Sequence, residues 1–147
     1  MPAPTAPRVR RADWLLDEAA IAALRREVFI DEQGVPEALE WEVRDPHCRW
    51  FVAEMDGMLV GISRLLPEGR IGRMAVRRAY RRRGVGSALL QAALAAARAA
   101  GLAEVELSAQ THAVPFYARH GFRAEGPEYP DAGIPHRTMK LHLKESI

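Results

Sequence analysis

The chain has 147 residues, 48% hydrophobic and 27% charged, so it is long enough to bury a core and has a globular composition. The net charge of only +2 argues against a generally basic nucleic-acid binder, and the single cysteine, Cys48, excludes an internal disulfide and disfavours a thiolate metal cluster. No apolar run approaches the roughly 20 residues needed to cross a bilayer. We expect a cytoplasmic protein with no membrane partner and no metal.

The N-terminal part begins with residues 1–7, which lack an apolar signal core and are expected to form a disordered lead-in. Asp17 is placed to cap a helix that runs to about Ile30. Four apolar residues fall on one face of this helix at helical spacing. They are Ile21, Leu24, Val28 and Phe29. The polar segment 31–47 is interrupted by glycine and proline and is expected to be mainly loop.

Strand patterns follow in the middle of the chain. Two apolar runs, 49–55 and 58–66, are separated by Asp56-Gly57, a dipeptide that indicates a β-hairpin. The segment 70–76, "RIGRMAV", is predicted to be the next strand.

The C-terminal half alternates between helix and strand patterns. A helix-forming segment ends at Gly101, and a shorter one has a proline near its start. The last strand places apolar residues at every second position. We expect two helices at 85–100 and 114–120, and three strands at 103–109, 122–126 and 136–143. The order of elements predicts a mixed sheet with helices on both faces.

The turn "RRAYRRRGVGSALL" (77–90) carries five arginines, followed by Gly84 and Gly86 at the start of a helix. Residues without a Cβ let backbone N–H groups approach a ligand, and a helix start adds unpaired donors, so the turn is suited to a pyrophosphate. It lacks the Gly-Lys-Ser/Thr of ATP-binding loops and the third glycine of dinucleotide folds. Two alternatives stay open at this point: a solvated basic loop, and a nucleic-acid patch, for which Tyr80 is the only interleaved aromatic residue.

The pattern Arg81-x-x-Gly84-x-Gly86, between a strand and a helix, resembles the acetyl-CoA loop of the GNAT superfamily of N-acetyltransferases. The segment "QTHAVPFYARHGF" (110–122) is similar to that superfamily's Asn-x-x-Ala-x-x-Phe-Tyr segment followed by Gly-Phe. The segments "REVFIDEQGVP", "RIGRMAV", "LSAQ" and "DAGIPHRTM" resemble an ElaA-like branch of small members. The resemblance covers nearly all of the chain after the lead-in and implies a single GNAT domain at 8–147.

The resemblance implies the α/β fold of acyl-CoA N-acyltransferases, in which a mixed, mostly antiparallel sheet splays between its fourth and fifth strands, with helices on both faces. It also implies acetyl-CoA as cosubstrate, with the pantetheine arm lying along one splayed strand and the pyrophosphate on the glycine turn. The residues implied for cofactor binding are Met74, Ala75, Val76, Arg81, Arg82, Arg83, Gly84, Val85, Gly86, Ser87 and Gln110.

The implied activity is direct transfer of an acetyl group to a primary amine of a small molecule or peptide. Tyr117 stands where the family keeps a tyrosine that acts as general acid toward the departing thiolate. Many relatives carry a glutamate base on the fourth strand, where this chain has Arg73. The base is therefore open among Glu32, His136 and a water chain.

The resemblance places the acceptor pocket between the segments "VFIDEQ" and "DAGIPH". The residues expected there are Glu32, Gln33, Glu40, Asp131 and His136, and their carboxylates would favour a cationic amine. No nucleic acid is expected as a partner, and a homodimer is suggested by analogy alone. A non-catalytic acyl-CoA-binding regulator is the main alternative function, and a nucleic-acid-binding module is the third.

Overall fold

The computed structural model describes residues 6–143, which form a seven-stranded sheet covered by helices on both faces. The strands are β1 (Arg8–Arg11), β2 (Arg49–Met55), β3 (Met58–Leu65), β4 (Arg70–Val76), β5 (Glu104–Gln110), β6 (Arg123–Asp131) and β7 (Ile134–His142). Their order across the sheet is β1-β2-β3-β4-β5-β7-β6, and only the β4–β5 pair is parallel. The predicted mixed, mostly antiparallel sheet is confirmed. Residues 1–5 of the expected lead-in lie outside the described part of the chain.

The helices are α1 (Trp14–Arg25), α2 (Glu37–Glu40), α3 (Val85–Ala99) and α4 (Val114–Arg119), and α1 continues as a π-helical segment, Arg26–Glu32. The prediction that Asp17 caps α1 was wrong. Asp13 is the cap, because its extended backbone lets its carboxylate accept a hydrogen bond from the Leu15 N–H at 3.1 Å. Asp17 lies one turn later and forms two hydrogen bonds with Arg10, each 2.8 Å long. Within residues 6–143, no helix is long and apolar enough to span a membrane.

Two hydrophobic clusters hold the helices on opposite faces of the sheet. One contains buried residues of α3, such as Leu89 and Leu94, packed on the sheet. The other contains Ile21, Leu24 and Val28, so the helical face expected from the sequence is buried for these three residues.

The hairpin and the last two strands show how turns and bulges set the register. Asp56 and Gly57 both have positive φ, 53° and 73°, as the short turn between β2 and β3 requires. β6 is longer than predicted and runs past a proline, because a register irregularity between Glu125 and Tyr129 separates its two paired parts.

The sheet opens between β4 and β5. The two strands pair only where Arg70 meets Glu106 and Ile71 meets Leu107, and their remaining residues are not paired with each other. The predicted splay between the fourth and fifth strands is thereby confirmed, and it leaves a wedge-shaped opening in the middle of the sheet.

Candidate functional site

A cleft of about 630 Å³ occupies the wedge between β4 and β5. Its walls come from these two strands, from the π-helical segment, from α4 and from the end of β6 and start of β7. The π-helical segment contributes Phe29 and Glu32, and the adjoining Gln33 lies next to them. π-helical turns are often found at functional sites because they displace side chains from regular helical positions.

One extra residue in β4 forms a bulge at the wall of the cleft. The pairing of β3 with β4 shifts between Arg64–Gly72 and Ile62–Ala75, which places Arg73 in the bulge with a φ of 48°. A positive φ is unfavourable for arginine and is typical of a position constrained by its surroundings. Met74 is the second residue of the bulge, and it lines the cleft together with Ala75 and Val76; all three were expected to hold the cofactor.

The arginine–glycine turn leads directly into α3. Arg82 and Gly84 both have left-handed φ, 62° and 81°, and no side chain of the described residues caps the helix start at Gly84. The first backbone N–H groups of α3 are therefore available to an anion, and the helix dipole favours negative charge at this end. A Cβ at Gly86 would lie 3.5 Å from Phe116, an ordinary contact distance, so the first turn of α3 packs directly beside α4.

Arg81 connects the basic turn to the π-helical segment. Its Nε donates to the carbonyl oxygen of Val76 at 2.9 Å, and its two terminal nitrogens meet both carboxylate oxygens of Glu32 at 2.6 and 2.7 Å. This bidentate hydrogen bonding lowers the pKa of Glu32 below its usual range. Glu32 therefore lines the cleft as an ionised, paired carboxylate. Arg83 instead stacks over the ring of Tyr80, 5.1 Å from its centroid.

Two further residues predicted for the cofactor have side-chain partners. The Ser87 hydroxyl lies 3.1 Å from Nε2 of His120, a residue that the sequence analysis did not single out. Gln110 donates from Nε2 to Oε1 of Gln33 at 2.9 Å. Because Gln110 ends β5 and Gln33 follows the π-helical segment, this hydrogen bond joins two walls of the cleft.

Tyr117 lines the cleft from α4, and its hydroxyl has a weak partner. The O–H lies 3.8 Å from the thioether sulfur of Met74, and burial raises the pKa of Tyr117 to about 12. The ring packs edge-on against Phe116 and Phe122, with centroids 5.1 and 5.9 Å away. The phenol is thus fixed by packing and stays protonated at neutral pH.

His136 and Asp131 line the cleft from the far side of the splay. Nδ1 of His136 lies 2.6 Å from the carbonyl oxygen of Ile134, so this nitrogen is the donor and Nε2 is left as the ring's acceptor. The ring stacks on Tyr129 at a centroid distance of 6.2 Å. A cleft histidine with one nitrogen fixed as donor is a suitable proton acceptor at the other.

Glu40, expected at the acceptor pocket, does not line the cleft. It is buried beneath it in a cluster of ion pairs that the sequence analysis missed, and burial raises the pKa of its carboxyl. The members of this cluster are Arg25, Glu40, Glu42, Asp45, Arg64 and Arg73. The one residue whose local sequence indicates this cluster is Arg64, the single charged residue of β3.

Comparison with known proteins places the chain among acyl-transfer proteins. The sequence profile of the Acetyltransferase (GNAT) domain family matches residues 13–143. YjcF of Bacillus subtilis, named as an uncharacterised N-acetyltransferase, is 37% identical over 120 residues, which cover 79% of this chain and 86% of YjcF.

The fold is shared with solved structures, among them the following two. An acyl-CoA N-acyltransferase from Pseudomonas aeruginosa has a TM-score of 0.81 and 34% identity, covering 92% of this chain and 99% of its own. Escherichia coli ElaA has a TM-score of 0.82 and 26% identity, covering 91% of this chain and 98% of its own.

Proposed function

The chain belongs to the GNAT acetyltransferase family, and from this premise we propose that it transfers an acetyl group from acetyl-CoA to a primary amine. The observation that supports this most directly is the uncapped start of α3, reached through the left-handed Gly84, beside a cleft that contains Tyr117. The Pseudomonas aeruginosa relative is by name an acyl-CoA N-acyltransferase, which agrees with the proposal.

The glycine turn suits the diphosphate of coenzyme A. Backbone N–H groups from Arg82 to Ser87, with Val85 at the first helical position, would bind the phosphate oxygens, and no side chain in the described part of the protein competes for them as a cap. Arg83 adds positive charge beside the turn, and Arg81 holds the turn to the π-helical segment through Glu32. Met74 to Val76 would lie along the pantetheine arm, since this part of β4 is not paired with β5.

When bound, acetyl-CoA supplies the thioester carbon that the acceptor amine attacks. An alkylamine has a pKa of about 10, so it must lose a proton before it can react. We assign this role to Nε2 of His136, because Nδ1 is already engaged with the Ile134 carbonyl. Glu32 is a weaker base, since Arg81 stabilises its ionised form and lowers its pKa.

Tyr117 would donate a hydrogen bond from its hydroxyl to the departing thiolate. A phenol with a pKa of about 12 is a weaker acid than the coenzyme thiol, whose ordinary pKa is about 8.5. The phenol therefore acts by hydrogen bonding to the charge as it develops on sulfur, rather than by transferring its proton beforehand. Its weak contact with Met74 leaves the O–H available for this hydrogen bond.

The experiment is thiol release from acetyl-CoA by the full chain with a panel of amines, with the acetylated product identified by mass. The proposal predicts release that depends on both protein and amine. Tight binding of acetyl-CoA without release by any amine would instead favour the non-catalytic regulator. That alternative draws on one observation, Arg73 on the fourth strand, where the family resemblance implies a glutamate.

A further inference from the structure

Two arginines on neighbouring strands, Arg64 of β3 and Arg73 of β4, line the cleft together, and we call the pair the arginine wall. Both donate to the same carboxylate oxygen of Glu42, at 3.1 and 2.8 Å, so their guanidinium groups lie side by side. Arg64 reaches the cleft over Gly72, where a Cβ would lie 3.7 Å from its Nη2. The bulge in β4 gives Arg73 its position at the rim.

The charges behind the arginine wall are balanced. Three guanidinium groups face three carboxylates in the buried cluster, so its formal charge is zero. The cations are Arg25, Arg64 and Arg73, and the anions are Glu40, Glu42 and Asp45. A balanced cluster does not by itself attract or repel a ligand. What distinguishes the wall is therefore its hydrogen-bonding capacity rather than its net charge.

The arginine wall has more donors than its protein partners accept. A guanidinium carries five N–H groups. The side chain of Arg64 is only 6% exposed, and its Nε finds no acceptor among the residues that the structure describes. That Nε is itself buried, so the donors within reach of a ligand are terminal nitrogens. Nη2 of Arg64 and Nη1 of Arg73 form no hydrogen bond with the described residues and are not among the buried atoms, so both remain available to an acceptor group on a ligand. Arg73 is a quarter exposed and is the more accessible member.

The opposite side of the cleft carries hydrogen-bond acceptors rather than guanidinium donors. Asp131 and His136 lie across the splay from the arginine wall and offer a carboxylate and a ring nitrogen. Glu32, the other carboxylate lining the cleft, is already held by both terminal nitrogens of Arg81. The cleft thus presents guanidinium donors on one side and groups suited to an amine on the other.

We propose that the acceptor is an amine that also carries an oxyanion, a carboxylate or a phosphate, which the arginine wall binds while the amine faces Asp131 and His136. This inference rests on the proposed function and narrows its substrate class. The planar donor pairs of arginine match both kinds of oxyanion. The sequence analysis expected a cationic amine without choosing its class; a simple polyamine lacks the group that the wall would bind.

The test compares amines that differ only in the oxyanion. Lysine is compared with cadaverine for the carboxylate, and phosphoethanolamine with ethanolamine for the phosphate, by kcat/KM in the thiol-release assay. We expect at least one anionic member to be preferred about tenfold or more. Whichever pair shows the preference identifies the oxyanion. Arg73→Gln should abolish the preference while changing acetyl-CoA affinity less than twofold.

Two variants separate recognition from folding. Arg73→Lys keeps the positive charge beside Glu42 and should retain part of the preference. Arg70→Gln makes the same substitution on the same strand and should keep the preference intact. Within residues 6–143, the only ion pair of this cleft residue is a 3.8 Å contact with Glu106. Thermal unfolding of each variant shows whether the buried cluster still forms.

The outcomes distinguish this inference from the proposed function. If amines are acetylated but neither anionic member is preferred, the inference is overturned and the acetyltransferase stands. If no amine is acetylated, the oxyanion site is tested without catalysis. Arginine side-chain NMR is then recorded during titration with N-acetylglycine and with inorganic phosphate. A saturable shift of the Arg73 Nε–H resonance, absent in Arg73→Gln, supports the oxyanion site without the enzyme. No shift with either probe overturns it.

Discussion

Replacing Tyr117 by phenylalanine removes one hydroxyl from the cleft and leaves the ring. The edge-on contacts with Phe116 and Phe122 do not involve the oxygen and are preserved. The hydroxyl's partner is a thioether sulfur 3.8 Å away, which is a weak acceptor. Deleting a weakly bonded hydroxyl is close to neutral, so we expect the free energy of unfolding to change by less than about 1 kcal/mol.

The same substitution should have a large effect on turnover. A hydrogen-bond donor positioned at a developing charge contributes roughly 10²-fold or more to a rate, and a 10²-fold loss corresponds to about 2.7 kcal/mol of transition-state stabilisation. We therefore expect kcat to fall about 10²-fold and the affinity for acetyl-CoA to stay nearly constant. Because the pKa of Tyr117 is about 12, the phenol remains protonated until the pH rises toward that value. Its ionisation should not contribute to a pH–rate profile between pH 6 and 9.

The assay is steady-state thiol release, with thermal unfolding and acetyl-CoA calorimetry on the same preparations. Tyr80→Phe is the matched control, because Tyr80 does not line the cleft and its hydroxyl contacts Asp56 at 3.1 Å. Its turnover should equal that of the parent chain. Unchanged kcat in Tyr117→Phe would remove the phenol from the mechanism. An equal loss of stability and activity would show that its role is structural.

Three further predictions concern stability. Gly61→Ala should lower the free energy of unfolding by about 1–3 kcal/mol, because its Cβ would lie 2.8 Å from Leu89 of α3; an unchanged thermal midpoint would contradict this packing. Gly84→Ala should lower the free energy of unfolding by about 1–2 kcal/mol from its φ of 81° alone, because no described residue other than its chain neighbours lies within 4 Å of the added carbon, and Gly84→Asn should cost less. Hydrogen bonds from Arg10 lower the pKa of Asp17 in the folded protein below the value of about 3.9 in the unfolded chain. The ionised carboxylate therefore stabilises the fold fully above the unfolded pKa, and this contribution is lost as the pH falls through the folded pKa. Asp17→Asn should therefore destabilise the protein at pH 7 and reduce the difference in thermal midpoint between pH 7 and pH 2. An unaltered difference would show that the ionisation of Asp17 does not contribute to the pH dependence of stability.

Features fixed by local chemistry could be predicted from the sequence. The Asp56-Gly57 hairpin and the glycine-bounded start of α3 depend on backbone conformations that few residues other than glycine adopt readily. The helical face of Ile21 and Leu24 follows from spacing alone. The strand order and the splay, in contrast, were implied by the family resemblance and not by any local pattern.

Features fixed by long-range contacts were missed. Arg25 meets Asp45 across 20 positions, and Arg64 meets Asp45 across 19, so no local pattern pairs these charges. Glu40 was assigned to the acceptor pocket because the sequence shows its charge but does not show that its side chain is buried. The four-residue strand β1 has a single apolar residue, Val9, and is defined by its pairing with β2.

The most direct test of the central claim is calorimetric titration of the full chain with acetyl-CoA, comparing two arginine substitutions in α3. Gly86→Arg places a large side chain in the first turn beside Phe116, whereas Ala95→Arg adds the same side chain at an exposed position further along the helix. We predict saturable one-to-one binding to the parent chain and to Ala95→Arg, and a loss of binding in Gly86→Arg. Absence of binding heat with folded parent protein, or equal affinity in the Gly86→Arg variant, would contradict the assignment of the glycine turn to the diphosphate.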